Sequence, residues 1–226
     1  MKTAGILFDY NGVLVNDEQL HKQAFQKVLD GYGVSFTDEL YDRACLGRTD
    51  EDGFKYLARE FNSQLGGVPI DKLLKSKIEQ YGKLAGQTDI LYPGAEKTIR
   101  ELEKKYRLAI VTSSTRDEVL PFLSSKKLIS IFDFILTAED ITRGKPNPES
   151  YLTGLNRLKL PPQKVVVVED SPSGVKAANS ANLACIAVLH SVPREQLRGT
   201  DKILEKISDL NEEVIENVLY KRPGKT

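Results

Sequence analysis

An excess charge of either sign is missing from this chain: its 226 residues hold 32 basic and 32 acidic side chains. No net field exists to hold a nucleic acid or an anionic membrane, so either partner would need a local patch. No arginine-rich stripe interleaved with aromatics supplies one. The basic cluster "YKRPGKT" reads as a solvated tail. Cysteine is scarce as well, with only Cys45 and Cys185. Two distant thiols suit a reducing compartment, and they exclude a disulfide framework. No apolar run approaches the roughly 18 residues of a membrane span. The opening "MKTAGILFDY" meets a charge too soon for a secretory signal. Internal repeats and low-complexity segments are also lacking. These absences lead to the expectation of a soluble cytoplasmic protein with neither a nucleic-acid nor a membrane partner.

What is present has globular proportions, 40% apolar and 28% charged. The length suffices for one large domain, or for a domain with an insert. The runs 4–10, 107–113, 164–170 and 184–190 are apolar without alternation, as strands covered on both faces are. "FDFILT" at 132–137 is a weaker fifth. Between them, helical patterns place Ala95, Ile99 and Leu102 on one face, then Leu152, Leu155 and Leu158, then Val175, Ala178 and Ala181. Strand and helix in alternation predict an α/β fold, a doubly wound, Rossmann-like parallel sheet.

Residues 16–89 break this rhythm. They hold no convincing strand. Helical faces run through Leu20, Ala24 and Val28, through Phe54, Leu57, Ala58 and Phe61, and through Ile70, Leu73, Leu74, Ile78 and Tyr81. Segment 36–46 is a fourth candidate helix. The expected organisation is a core of residues 1–15 and 90–226 interrupted by an inserted all-helical domain of residues 16–89.

In an open α/β sheet, ligands bind outside the carboxyl ends of the strands. Strand one ends in Asp9, the next in Thr112-Ser113-Ser114, and "KVVVV" in Glu169-Asp170; the loop "RGKPNPE" before it carries Lys145. Each piece has a plainer reading. A lone Asp can cap a turn, Thr115-x-x-Glu118 matches a capping box, Ser171-Pro172 is a good helix start, and Lys145 fits a surface turn. Together these readings leave several strand ends independently polar in matching ways. Three gathered carboxylates repel one another unless a cation joins them, and a hard divalent ion, most simply magnesium, suits oxygen ligands. The lysine and the hydroxyls suit the oxygens of an anion such as phosphate.

The strings "FDYNGVLV", "IVTSS", "GKPNPESY" and "VVVVEDSPSGVKAA" resemble, in order, the four signature motifs of the haloacid dehalogenase superfamily. The helical insert resembles the cap of its β-phosphoglucomutase and phosphoglycolate phosphatase branch. The resemblance implies a magnesium-dependent phosphoryl-transfer enzyme acting on a small phosphorylated metabolite. Asp9 would be the nucleophile and a metal ligand, and the Asn11 carbonyl, Asp170 and nearby Glu169 would complete the metal site. Thr112 and the Ser113 N–H would hold phosphoryl oxygens, and Lys145 would bridge nucleophile and phosphate. His21 and Arg48 fall where cap residues reach the substrate; their plainer readings are a helix-surface histidine and a turn charge. Cys45 reads as core packing.

The first motif departs from the family's usual D-x-D-G. The second aspartate protonates the leaving oxygen and then deprotonates water, and here it is Asn11. An amide keeps the backbone carbonyl but cannot exchange a proton near neutral pH. Loss of a positioned acid/base costs ~10²–10⁴ in rate. A slow, long-lived aspartyl-phosphate on Asp9 is therefore expected, unless Asp17, Glu18 or His21 takes over. The asparagine would belong to a natural slow or specialised branch or to a variant made to trap a complex. Mutase activity is less favoured, because an ungapped match from Gly47 puts Asp50 where the mutase has an arginine. Two other readings stand beside the phosphatase. One is a metal-independent haloacid dehalogenase, disfavoured by Glu169 and Asp170. The other is a non-catalytic phosphometabolite-binding protein.

Overall fold

The computed structural model describes residues 2–45 and 48–221. The tail 222–226 and the Leu46-Gly47 step, from which the match to Asp50 was counted, lie outside the described residues. The chain divides into two compact units, one of Met1–Asn16 with Ile90–Thr226 and one of Asp17–Asp89.

In the first unit six strands form one parallel sheet: β1 (Gly5–Phe8), β2 (Arg107–Val111), β3 (Phe134–Leu136), β4 (Val165–Glu169), β5 (Ala184–Val188) and β6 (Lys202–Leu204). The order is β3-β2-β1-β4-β5-β6, so the sheet winds outward in both directions from β1. Central β1 pairs with β2 through Leu7↔Ala109 and with β4 through Leu7↔Val167. Every residue of β1, β4 and β5 is buried, which is why these segments lack alternation. Each buried Val or Ile side chain contributes about 1.5–3 kcal/mol of transfer free energy.

The helices of the second unit come first in chain order: α1 (Glu18–Asp30), α2 (Asp38–Ala44), α3 (Asp50–Glu60), α4 (Asn62–Leu65) and α5 (Ile70–Ala85). Those of the sheet unit follow: α6 (Ala95–Leu102), α7 (Arg116–Ser125), α8 (Glu149–Leu158), α9 (Pro172–Ser180) and α10 (Glu212–Lys221). Helix α8 packs on β1 and β2, while α9 and α10 pack on β4 and β5. Helix α8 corrects one detail of the expected pattern. Its buried face runs through Tyr151, Leu155 and Leu158, and Leu152 is 39% exposed. Residue 152 lies about 100° round from 151, so two adjacent apolar residues cannot share one stripe.

The helical unit is built on an aromatic cluster in which Phe25 meets Phe54 at 4.6 Å between centroids and touches Phe36 and Tyr41. Thr37 and Thr49 cap α2 and α3 by accepting the N–H groups of Leu40 and Asp52. Helix α5 buries Leu73, Lys77, Tyr81 and Ala85 at four-residue spacing, so a lysine sits in the middle of an apolar stripe.

Candidate active site

Parallel register brings the strand ends level. Phe8 pairs with Ile110 on one side and Val168 on the other, and the Asp9 N–H donates to the Val168 carbonyl at 2.9 Å. Asp9, Thr112 and Glu169-Asp170 therefore leave the sheet at neighbouring points of one edge. The loop before α8 returns Lys145 to this edge. Its Nζ donates to Asp9 Oδ1 at 2.8 Å, to Glu169 Oε1 at 2.7 Å and to the Val111 carbonyl at 3.3 Å. The ammonium also lies 4.9 Å from the Tyr151 ring centroid.

Glu169 is fully engaged by the protein. Oε1 accepts Lys145 and the Tyr151 hydroxyl (2.5 Å), and Oε2 accepts the N–H groups of Asp170 (3.0 Å) and Ser171 (3.2 Å) with the Ser171 hydroxyl (3.0 Å). Ser171 also caps α9, accepting the Gly174 N–H at 3.0 Å, with Pro172 in the first turn. Its capping reading and its place at the site are both realised. A Cβ at Gly174 would overlap the Glu169 carboxylate, so the helix start must be glycine there. Asp170 accepts the Ser191 hydroxyl through Oδ2.

One oxygen from each of Asp9, Glu169 and Asp170 lies within 4.8 Å of the others. Three carboxylates against one ammonium leave two negative charges uncompensated. The protonation behaviour follows. Burial, only partly offset by Lys145 and reinforced by Glu169, pushes Asp9 up to about 6. Burial, then Glu169 and Asp9, hold Asp170 well above the usual carboxylate range. Burial would raise Glu169 too, but Lys145 and its other donors keep it low. Burial would likewise weaken the Lys145 ammonium, but Asp9 and Glu169 outweigh it and hold the proton more firmly. A divalent cation would supply the missing charge through oxygen ligands alone, so the residues present fit magnesium.

The Asn11 side chain points at the hydroxyl loop after β2. Its Oδ1 accepts the Ser114 hydroxyl at 2.6 Å and the Thr112 hydroxyl at 3.2 Å, and Thr112 Oγ1 accepts the Ser114 N–H at 3.0 Å. Ser113 is exposed beside them. Gly12 follows at φ +72°, and a Cβ there would overlap the Asp170 carboxylate. Thr115 and Glu118 form the expected capping box of α7.

His21 and Arg48 belong to the helical unit. His21 is not a free surface histidine. Its Nε2 lies 3.3 Å from Asp17 Oδ2, its Nδ1 2.5 Å from Lys77 Nζ, and its ring stacks on Tyr81. Tyr81 donates to Asp17 at 2.6 Å, and fully buried Lys77 pairs with Asp50 at 2.6 Å. Arg48 is exposed, with its guanidinium 5.6 Å from the Tyr56 ring centroid. Sequence reasoning gave no role to Tyr151, Ser191, His190 or Lys77. Lys77 did carry a signal, a charge four residues from both Leu73 and Tyr81 on a buried stripe. Ser191 and His190 carried none, because the bonds they make span about twenty residues or more.

The sequence model of the haloacid dehalogenase-like hydrolases matches residues 6–188, and the chain belongs to that family. Among its relatives are phosphatases. It is 34% identical to a phosphorylated carbohydrates phosphatase of Thermotoga maritima, across 83% of this chain and 86% of that protein. It is 28% identical to the validoxylamine A 7'-phosphate phosphatase of Streptomyces hygroscopicus subsp. limoneus, across 90% and 94%. Its fold superposes on CbbY from Rhodobacter sphaeroides, solved with phosphate, at a TM-score of 0.84, 28% identity and coverage of 92% and 96%. A mutant of that protein is solved with xylulose-(1,5)bisphosphate.

Proposed function

We propose that this protein is a magnesium-dependent phosphatase of a small phosphorylated sugar or related metabolite. It works through an aspartyl-phosphate on Asp9 that is released slowly. The observation that carries the reading is the Asp9–Lys145–Glu169–Asp170 cluster, with the Thr112–Ser114 hydroxyls on its other side. The names of the relatives support a phosphorylated carbohydrate as the class of substrate. In the proposed step an Asp9 oxygen bonds to phosphorus, the ester P–O bond breaks, and the leaving oxygen takes a proton from solvent. Water then attacks the same phosphorus and gives its proton to solvent, the Asp9–phosphorus bond breaks, phosphate departs, and Asp9 returns as a carboxylate.

Lys145 keeps Asp9 ionised and draws electron density from the transferring group. Thr112 and the Ser113 N–H hold phosphoryl oxygens. The metal would be held by Asp9, Asp170 and the Asn11 carbonyl; Glu169, with five donors already on it, anchors Lys145 and adds charge. When bound, magnesium neutralises charge on the phosphoryl oxygens. His21 and Arg48 are the residues of the helical unit assigned to substrate recognition.

Asn11 sets the rate. Its amide can neither protonate the leaving oxygen nor take a proton from water. An aspartate would find the same two hydroxyl donors that Asn11 Oδ1 accepts. The test is a screen of phosphorylated metabolites with and without magnesium, on this chain and on Asn11→Asp. Acid quench and intact mass are read alongside. The expected result is magnesium-dependent release of phosphate, a phosphoenzyme on Asp9 in the Asn11 chain, and at least tenfold faster turnover in the variant. A phosphoenzyme that turns over as fast as product forms would overturn the slow-release reading. Thermal stabilisation by a phosphometabolite that stays unhydrolysed in both chains would favour the binding-protein reading instead.

A further inference from the structure

We propose that the His190-Ser191 turn after β5 is a positioning element for the metal site, clamping the loop of Asn11 and the carboxylate of Asp170 to each other. This rests on the metal-dependent reading above and assigns it two further residues.

Three segments of the sheet unit converge on the turn. His190 Nδ1 lies 2.8 Å from the Gly12 carbonyl, and its Nε2 lies 3.3 Å from the Ile207 nitrogen. A backbone N–H can only donate, so Nε2 is the acceptor. Nδ1 therefore carries the proton and donates it to Gly12, and both ring nitrogens are used by a neutral imidazole. The ring stacks on Tyr92 with centroids 3.7 Å apart. It is thus held by residues 12, 92 and 207, a tether out of proportion to an ordinary loop residue.

The next residue reaches the site itself. The Ser191 hydroxyl donates to Asp170 Oδ2. A Cβ added to Gly12 would meet both Asp170 Oδ2 and Ser191 Oγ, so the three groups are in close approach. The Gly12 peptide is fixed on both sides. Its N–H donates to the Val15 carbonyl at 2.8 Å and its carbonyl accepts His190. The first bond orients the Asn11–Gly12 peptide plane, and with it the Asn11 carbonyl assigned to the metal. The second stops the loop from swinging away from Asp170. Hydrogen bonds that orient ligands from behind change metal affinity typically 10–100-fold when removed.

The test is magnesium titration by calorimetry on the full chain, in wild type, Ser191→Ala, Ser191→Thr and His190→Phe. Thermal unfolding in EDTA and the magnesium dependence of phosphatase rate are measured beside it. Ser191 is exposed, so its alanine variant folds without a cavity, and phenylalanine at 190 keeps the stacking while losing both bonds. Expected are a tenfold or greater rise in the magnesium Kd for Ser191→Ala and His190→Phe, recovery in Ser191→Thr, and rates restored by added magnesium. A purely structural role would lower the unfolding temperature in EDTA and leave the Kd alone. Wild-type affinity, within twofold, in both variants overturns the proposal. No magnesium binding by wild type itself overturns the metal-dependent reading on which it stands.

Discussion

Replacing Lys145 by methionine removes the one ammonium from the carboxylate cluster while keeping most of its volume over Tyr151. Both of its acid partners sit within 2.8 Å; Lys145 and Glu169 are buried and the Asp9 side chain is only 13% exposed. Breaking a buried ion pair by deleting one partner typically costs about 3–5 kcal/mol, because the other charge is left uncompensated. For a chain of this length each kcal/mol moves the unfolding midpoint by roughly 2–4 °C, so a fall of about 6–20 °C is expected in EDTA at pH 8. The loss must also depend on pH. Asp9 already stands at about 6 with the lysine present, above its unfolded value. Without the lysine it rises further. A carboxylate whose folded value is raised binds more protons folded than unfolded, so its penalty is full above the folded value and shrinks as pH falls through it. Lys145→Met should therefore approach wild-type stability as pH drops from 8 towards 5.5. Calorimetric or fluorescence unfolding across that range checks this. A deficit below about 1 kcal/mol, or one equal at pH 8 and 5.5, would refute the account of Lys145 as the counter-charge of a buried cluster.

In the helical unit, Lys77→Met should destabilise by about 2–4 kcal/mol in denaturant unfolding, since it strands Asp50 and removes the contact to His21 Nδ1; a change within 0.5 kcal/mol, the level of an ordinary surface substitution, would mean the lysine is a passive filler. Cys45, its thiol pushed up to about 12 by burial and then by Asp50, should resist aromatic disulfide reagents at pH 8 until the chain unfolds, as should buried Cys185; stoichiometric labelling within seconds would contradict the packing. Adding Ser114→Ala to Asn11→Asp should raise the upper limb of the pH–rate profile, because a hydroxyl donor lowers the affinity of a carboxylate for its proton; superimposable profiles would show that this hydrogen bond does not persist during turnover.

The parallel sheet was legible because its central strands are buried on both faces and so lose alternation, a signal that survives without tertiary information. Edge strand β6, three residues with only Leu204 buried, has no such signal and went unseen. Helix α10 carries only a short apolar face, with Ile215 and Val218 buried among acidic and polar neighbours, and so gives a weak periodic signal. At the site, Asp9, Thr112, Glu169 and Asp170 could be singled out because each stands at or beside a strand end, where polar residues interrupt apolar runs, and Lys145 because it lies in a Gly-Pro-flanked loop between two such strands. Tyr151 and Ser191 could not. Their meaning is a hydrogen bond to Glu169 or Asp170 from elsewhere in the chain, and nothing local distinguishes them from any other tyrosine or serine. His21 lies on the helix its neighbours' apolar pattern predicts, yet its partners Lys77 and Tyr81 lie more than fifty residues on. Only packing of α1 against α5 brings them together.

Charge balance gives Asn11 a second consequence beside the lost proton transfer. With an amide at this position, the cluster carries three carboxylates and one ammonium, a deficit that one divalent cation closes. A carboxylate would add a fourth negative charge against Asp9. At an effective dielectric near 20, like charges within one site repel by on the order of a few kcal/mol. Phosphorylation of Asp9 replaces a single charge by a nearly double one, so the repulsion grows in the phosphoenzyme. In the proposed mechanism Asn11 would thus favour accumulation of the phosphoenzyme twice over, slowing its hydrolysis and relieving its charge. The two effects separate experimentally. The rate effect acts only on turnover. The charge effect should also appear at equilibrium, as weaker binding of inorganic phosphate to Asn11→Asp than to the Asn11 chain at pH 8, in the same magnesium.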